Sequence, residues 1–373
     1  MPEKSLKILY TASTGAHLRS FHIPYLEALA AHGHAVTAAG AGDGRGLPEG
    51  VDFFPVPFTK SMGSPRNFMG SWRLARLMRS ERFDVVITHT SLAAFFTRLG
   101  VMLAGKKHTR VVNTVHGYLF DDDTAPLRRT VMLWAEKLTA GVTDEILVMN
   151  RADEVIARKN HLCRGDVTFI DGMGVPLERF APAAEEERLA ARAGLGIPDG
   201  ALVLLCAAEF SPRKNQKTLL EALALLPEDV YLLLPGRGAL LEQCQEQARA
   251  LGIEERVRFP GFVSDTLPFL HAADICVSAS RSEGLPFHVM EAMSCGLPCV
   301  LSRVKGHEDL LDGETAGTLV PYGDAKAMAE AVKALRDDPA LRERMAACAR
   351  ENVQRYDLPR VLPEVLALFE KEA

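Results

Sequence analysis

Two glutamates, Glu283 and Glu291, stand eight residues apart in Ser278-Ala-Ser-Arg-Ser-Glu-Gly-Leu-Pro-Phe-His-Val-Met-Glu-Ala-Met-Ser-Cys-Gly-Leu-Pro298. A bare pair at that spacing means little, because carboxylates are common on solvated surfaces. The setting is more specific. An apolar run ends at Ser278, a loop carries Glu283, Pro286 suits the first turn of a helix, and Glu291 lies on that helix. Helix starts attract anions through their free N–H groups and the dipole. A loop carboxylate beside such a terminus can accept hydrogen bonds from sugar hydroxyls, and a second can chelate the two hydroxyls of a ribose. Lys214, in Ser211-Pro-Arg-Lys-Asn215 after another apolar run, is placed to meet a diphosphate as a point charge.

Other candidates are weaker alone. His116 ends an apolar run, and a lone strand-end histidine is more often structural than catalytic. Gly15 follows the first such run and could let the backbone approach a phosphate. The glycine-rich Gly40–Gly46 lacks the GxGxxG register and is followed by Pro48 rather than an amphipathic helix, so it reads as a flexible loop. Asp121-Asp-Asp123 precedes Pro126 and a helix; acids at a helix start explain it without a metal.

These residues need a scaffold, and the chain alternates strand and helix to supply one. Strands are expected at Lys7–Thr11, Val85–His89, Val111–His116 and Glu145–Met149, with a helix over Phe21–His32. Around Val175–Ala183 the rhythm breaks at Pro176 and Pro182, which marks a linker. A second alternation follows: strands at Ala201–Ala208, Val230–Leu234, Asp274–Ser278 and Pro298–Ser302, with a helix at Lys214–Leu226. Such alternation argues parallel sheets covered by helices on both faces. The expected division is an acceptor-binding domain over 1–178 and a nucleotide-sugar domain over 179–356, with a C-terminal helix at about 357–373 packing back on the first. Ligands of open α/β sheets bind at the carboxyl ends of the strands, here in a cleft between the domains.

Composition agrees with that size class. The 373 residues suit two α/β domains, and 47% hydrophobic with 24% charged residues is ordinary for a globular protein. No run approaches the roughly 18 apolar residues of a membrane span, and the start lacks a signal-peptide core. Seven cysteines without a CxxC pair point to a reducing, cytoplasmic compartment. The net charge of −5 hides an asymmetry: residues 1–180 carry 22 Lys and Arg against 18 Asp and Glu. A mildly basic first half suggests an anionic partner there. Within it, Arg73, Arg76, Arg79 and Arg82 recur every three residues, with Arg66 upstream and Lys106, Lys107 and Arg110 nearby. That spacing suits a docking face for anionic phospholipid as well as an ordinary solvated helix face.

The Glu283–Glu291 segment resembles the Glu-x7-Glu motif of retaining family-four glycosyltransferases, which have the GT-B fold of two Rossmann-like α/β domains. The resemblance extends over nearly the whole chain, through Tyr10–Gly15, His17–Tyr25, His89-Thr90 and Val115-His116-Gly117-Tyr118. Members of this kind act in exopolysaccharide and lipid-linked oligosaccharide assembly in the cell envelope. The resemblance implies transfer of a sugar, with retention, from a UDP-sugar to a saccharide or polyprenyl-diphosphate-linked acceptor. It makes His116, Glu283 and Lys214 the catalytic set, with Glu283 on the donor sugar and Glu291 on the ribose. Gly284, Leu285, Pro286 and Phe287 line the sugar and phosphate. Gly236-Arg237-Gly238 resembles the nucleotide-contacting loop, and Phe259-Pro-Gly261-Phe262 the loop that reads the base. The family's usual Gly-Arg-Leu is Ala208-Glu209-Phe210 here, so the phosphate arginine falls to Arg213 or Arg237. No cofactor, metal or nucleic acid is expected, and the chain is expected in the cytoplasm or peripheral at the inner membrane face. Two alternatives remain open: a UDP-sugar epimerase of the same fold, and a non-catalytic sugar-nucleotide-binding subunit.

Overall fold

A computed structural model describes residues 5–371 except 106–107, 122–123, 312 and 314. The chain divides into two compact units: residues 1–174 with 359–373, and residues 175–358. The boundary at Gly174/Val175 falls where the strand–helix rhythm lapses before Pro176.

The first unit holds β1 (Lys7–Thr14), β2 (Ala35–Ala41), β3 (Val51–Pro55), β4 (Val85–His89), β5 (Arg110–Val115), β6 (Glu145–Val148) and β7 (Val167–Phe169). They form one sheet in the order β3-β2-β1-β4-β5-β6-β7, and every pairing is parallel. β4 and β5 are buried throughout, as strands covered on both faces must be. Strand order reverses between β1 and β4, so their carboxyl ends diverge and leave room for a ligand. Helix Pro65–Ser80 presents Asn67, Gly70, Ser71, Leu74 and Ala75 inward, the stripe expected of a surface helix. Helix Leu358–Phe369 buries Val361, Val365, Leu366 and Phe369 and closes this unit.

The second unit repeats the plan. β8 (Leu202–Leu205), β9 (Val230–Leu233), β10 (Val257–Arg258), β11 (Ile275–Ser278), β12 (Cys299–Ser302) and β13 (Gly317–Val320) run parallel in the order β10-β9-β8-β11-β12-β13. The reversal here lies between β8 and β11. One core, including Leu204, Phe210, Leu220, Leu232, Val277 and Val332, joins this sheet to its helices.

Two local expectations need correction. The helix expected over Phe21–His32 is two, Gly15–Phe21 and Ile23–Ala31, broken at His22. Pro24 supplies the reason: it has no N–H to continue the ladder, and it sits instead in the first turn of the second helix. The helix expected from Lys214 begins at Gln216, because Asn215 takes a left-handed conformation with φ of 49°.

Candidate active site

At the β8–β11 switch of the second unit, two loops meet through charge. The loop after β8 carries Arg213 and Lys214; the loop after β11 carries Glu283. Lys214 Nζ donates to Glu283 Oε1 at 2.7 Å, and Arg213 Nη1 donates to Oε2 at 2.7 Å. Arg213 also donates to the Ser282 carbonyl at 3.1 Å, and the Arg281 N–H donates to the Arg213 carbonyl at 2.8 Å. Glu283 and Lys214 are each only 7% exposed. Burial by itself would push the Glu283 carboxyl up. The Lys214 and Arg213 cations, with His288 and His307, outweigh burial and hold it well below the carboxylate range. The result is an oriented anion at the carboxyl edge of the sheet.

Helix Phe287–Ser294 starts immediately after, with Pro286 as its N-cap. Glu291 lies on this helix, half-buried. Burial raises its pKa to about 7, against a hydrogen bond from Thr266 Oγ1 at 3.3 Å and the Arg179 charge, which act to lower it. The two glutamates are thus in opposite states, one locked as an anion and the other poised near neutrality.

The remaining residues of this unit gather on the same edge. Gly236 and Gly238 follow β9, where their lack of a Cβ is a packing requirement. A Cβ on Gly236 would stand 2.0 Å from the Ala208 carbonyl oxygen, and one on Gly238 2.2 Å from that of Phe210. These loops are stitched by Gly236 N–H to Gly261 O at 2.7 Å and Phe210 N–H to Arg237 O at 3.0 Å. Arg237 and Phe262 are exposed and stacked, with the guanidinium 4.6 Å from the ring centroid. Glu209 is exposed. Sequence reasoning did not single out His288, His307 or Thr266. His307 Nδ1 donates to the Ser302 carbonyl at 2.8 Å, and Nε2 of both His288 and His307 is buried without a partner. His288 stood within the glutamate segment, where its residue type was the one available signal.

In the first unit His89 ends β4, His116 follows β5, and Tyr10 lies between them and His22 from within β1. His89 Nδ1 and His116 Nε2 are 3.0 Å apart, and Tyr10 Oη and His22 Nδ1 are 2.9 Å apart. Burial lowers the pKa of His116 to about 3, with His17 adding to the effect, and that of His17 to about 4. These rings are neutral at physiological pH. Gly15 also has a packing requirement: a Cβ there would stand 2.1 Å from the Asp43 carbonyl oxygen. The Gly40–Gly46 stretch is packed rather than loose, since Arg19 Nη1 donates to Arg45 O at 2.8 Å and Gly44 lies against Phe53.

The basic run divides in the folded chain. Arg73 lies over the Phe54 ring at 5.4 Å, Arg76 over the Trp72 ring at 4.9 Å, and Arg79 donates to the Leu103 carbonyl. Arg110 is buried, paired with Glu145, and is not a surface cation. Lys106, Lys107, Asp122 and Asp123 lie outside the described residues.

Comparison with known proteins agrees with this anatomy. Residues 25–170 match the model of Glycosyltransferase Family 4, and residues 187–352 that of Glycosyl transferases group 1. EpsD of Bacillus subtilis (strain 168), named as a glycosyltransferase, is 30% identical over 368 residues, covering 97% of this chain and 96% of EpsD. The Escherichia coli UDP-Gal:alpha-D-GlcNAc-diphosphoundecaprenol alpha-1,3-galactosyltransferase is 26% identical over 331 residues, covering 87% of this chain and 84% of that protein. The crystal structure of Anabaena Alr3699/HepE in complex with UDP and glucose superposes with a TM-score of 0.78 at 20% identity, covering 97% and 99% of the two chains. Two parallel-sheet Rossmann-like units with such neighbours are the GT-B fold. With EpsD matched end to end and one family model on each unit, the chain belongs to the group 1, family 4 glycosyltransferases.

Proposed function

We propose that this glycosyltransferase takes a sugar from a UDP-sugar and passes it, with retention, to a saccharide or polyprenyl-diphosphate-linked acceptor. The observation that carries the reading is Glu283, fixed as an anion by Lys214 and Arg213 at the β8–β11 switch, one helix turn before Glu291's helix has properly begun. UDP accompanies the HepE structure, and the E. coli relative's name gives a UDP-galactose donor and a lipid diphosphate acceptor.

In this reading Glu283 accepts hydrogen bonds from the donor sugar. Lys214, Arg213 and the start of helix Phe287–Ser294 stabilise the diphosphate as it leaves. Glu291 holds the ribose, while Arg237 and Phe262 flank the base. The acceptor oxygen bonds to the anomeric carbon on the face the diphosphate leaves. The proton of the acceptor hydroxyl passes to the departing phosphate oxygen. His116 orients hydroxyls as a neutral imidazole. No residue is assigned as a covalent nucleophile, and no metal is assigned to the reaction.

The test is a panel of UDP- and GDP-sugars with lipid-linked and saccharide acceptors, with EDTA present and the product anomer read by NMR. Retained configuration and full activity in EDTA are expected. Inverted product, or activity that returns only with Mg²⁺, would refute those parts; an epimer formed without acceptor would favour the epimerase. Donor binding should also depend on Glu291. If it binds as a carboxylate, affinity should fall about tenfold per pH unit below 7. Glu291→Gln should abolish that slope and cost about 1.5–3 kcal/mol at pH 8. A slope unchanged in the variant assigns it elsewhere.

The lipid-linked acceptor implies work at a membrane, and we place the protein at the inner face, docked through its first unit. Among the described residues no helix is long and apolar enough to cross a bilayer. Helix Pro65–Ser80 exposes Phe68, Met69 and Trp72 beside Arg76, and helix Pro126–Ala140 exposes Leu127, Val131, Trp134 and Leu138 beside Arg128. Apolar residues at four- and three-residue steps beside cations are the pattern of an interfacial helix. Wild type should sediment with anionic vesicles at low salt, release as salt rises, and ignore neutral vesicles. Trp72→Ser with Arg76→Gln should weaken that binding about tenfold, since each cation near the surface is worth about 1 kcal/mol. Indifference of the wild type to anionic vesicles at low salt would leave a soluble acceptor as the better reading.

A further inference from the structure

The carboxyl edge of the first sheet holds a histidine cluster of which the transfer proposed above uses His116 alone. His22, His89 and His116 each offer one ring nitrogen, and these nitrogens all lie within 4.8 Å of one another. His22 and His89 are fully buried, and His116 is half-buried. We propose that these three imidazoles form a binding site for a divalent transition-metal ion of the zinc class.

Unmet bonding capacity supports the proposal. Nε2 of His22 is buried with no hydrogen-bond partner. Burying an unpaired polar nitrogen is costly, and an ion shared with the adjoining rings would satisfy it. Imidazole offers a ring lone pair to a metal ion when neutral. Neutral imidazole suits zinc, copper, iron and nickel rather than magnesium or calcium.

Spacing agrees. Tetrahedral Zn–N bonds of about 2.1 Å put ligand nitrogens about 3.4 Å apart. His89 Nδ1 and His116 Nε2 are 3.0 Å apart, and His22 brings a ring nitrogen within 4.8 Å of one on each of those rings. The surroundings are those of an oriented ligand set. Tyr10 Oη bonds His22 Nδ1, so that Nε2 is free to ligate when Nδ1 keeps its proton. Tyr10 also stacks on His89, with centroids 4.6 Å apart, and Phe369 packs edge-on against both rings. Directly after His89, Thr90 sits at φ of 63°, an outlier for a β-branched residue of the kind that collects at functional sites.

A second cluster, His32, His34 and Glu370, is equally close-set but lacks the chemistry. The Leu6 N–H donates to His34 Nδ1 at 3.1 Å, so His34 Nε2 carries the proton and donates it to Glu370 at 3.2 Å. That ring has no lone pair left for an ion.

An ion at the first cluster would claim His116. It is therefore an inhibitor of the transfer proposed above and not its catalyst, and its binding is measured independently of turnover. The experiment titrates Co²⁺ into chelator-stripped full-length protein, follows the visible absorption of the bound ion, and displaces it with Zn²⁺. One ion per chain with the intense bands of four-coordinate cobalt is expected. His22→Gln and His89→Gln should each abolish the bands, while His34→Gln should keep them. Tyr10→Phe preserves shape and should weaken binding about 10- to 100-fold, so it tests the site even if a histidine variant fails to fold. Absence of four-coordinate bands in wild type at millimolar Co²⁺ would overturn the proposal. So would bands that survive His22→Gln or His89→Gln.

Discussion

Lys214→Met is expected to destabilise the second unit by about 3–5 kcal/mol and to lower kcat by about 10²- to 10³-fold. The stability loss comes from the partner left behind. Glu283 is 7% exposed, and without Lys214 it keeps only the more exposed Arg213 beside it. The carboxyl can escape by taking a proton. From its ordinary value of 4.5, that costs about 3.4 kcal/mol at pH 7, within the expected range. Glu283→Gln added to Lys214→Met should recover much of the stability, because it removes the stranded charge. It should recover none of the activity. Denaturant midpoints at constant slope measure the first, and initial rates the second. The pH dependence has a fixed sign. The folded pKa of Glu283 is depressed, so its contribution is present above pH 4.5 and is lost as pH falls toward the folded value. The gap between wild type and Lys214→Met should therefore narrow in acid. A gap that widens below pH 4.5, or additive losses in the double variant, would show that the pair does not act as a unit.

A comparable loss is expected in the first unit from Arg98→Met. Arg98 is fully buried, donates to Glu136 Oε2 at 2.8 Å and to the Ala94 carbonyl at 3.2 Å, and lies beside Thr143. Methionine roughly fills the space but leaves Glu136, 6% exposed, without its cation. The cost should again be about 3–5 kcal/mol, and Glu136→Leu in addition should restore most of it. Arg98, Glu136 and Tyr118 line one small pocket together with Val115, the residue before His116. The single variant should therefore also loosen His116, lowering turnover more than it weakens donor binding. A stability change under 1 kcal/mol would mean that water or a shifted Glu136 meets the charge.

Both sheets could be anticipated from the chain alone. Buried parallel strands need continuous apolar runs, and Val85–His89, Arg110–Val115 and Ile275–Ser278 are short runs of that kind, spaced by amphipathic helices. The strand–loop–proline–helix setting of Glu283 and Glu291 is likewise local, because a helix start is encoded within a few residues. The pairing of Glu283 with Lys214 is a different matter. They are 69 residues apart, and they meet because β8 and β11 are neighbours at the switch, a consequence of strand order. Nothing near Glu291 in the sequence indicates a pKa of about 7, since burial under distant chain sets it. The four-histidine cluster gathers His89 and His116 from two strand ends, His17 from a helix and His22 from the break between two helices. Sequence spacing of 3.6 or 2 residues reports which face of an element is apolar. It carries no information on which elements become neighbours, and charge pairing, desolvation and side-chain clusters all depend on that.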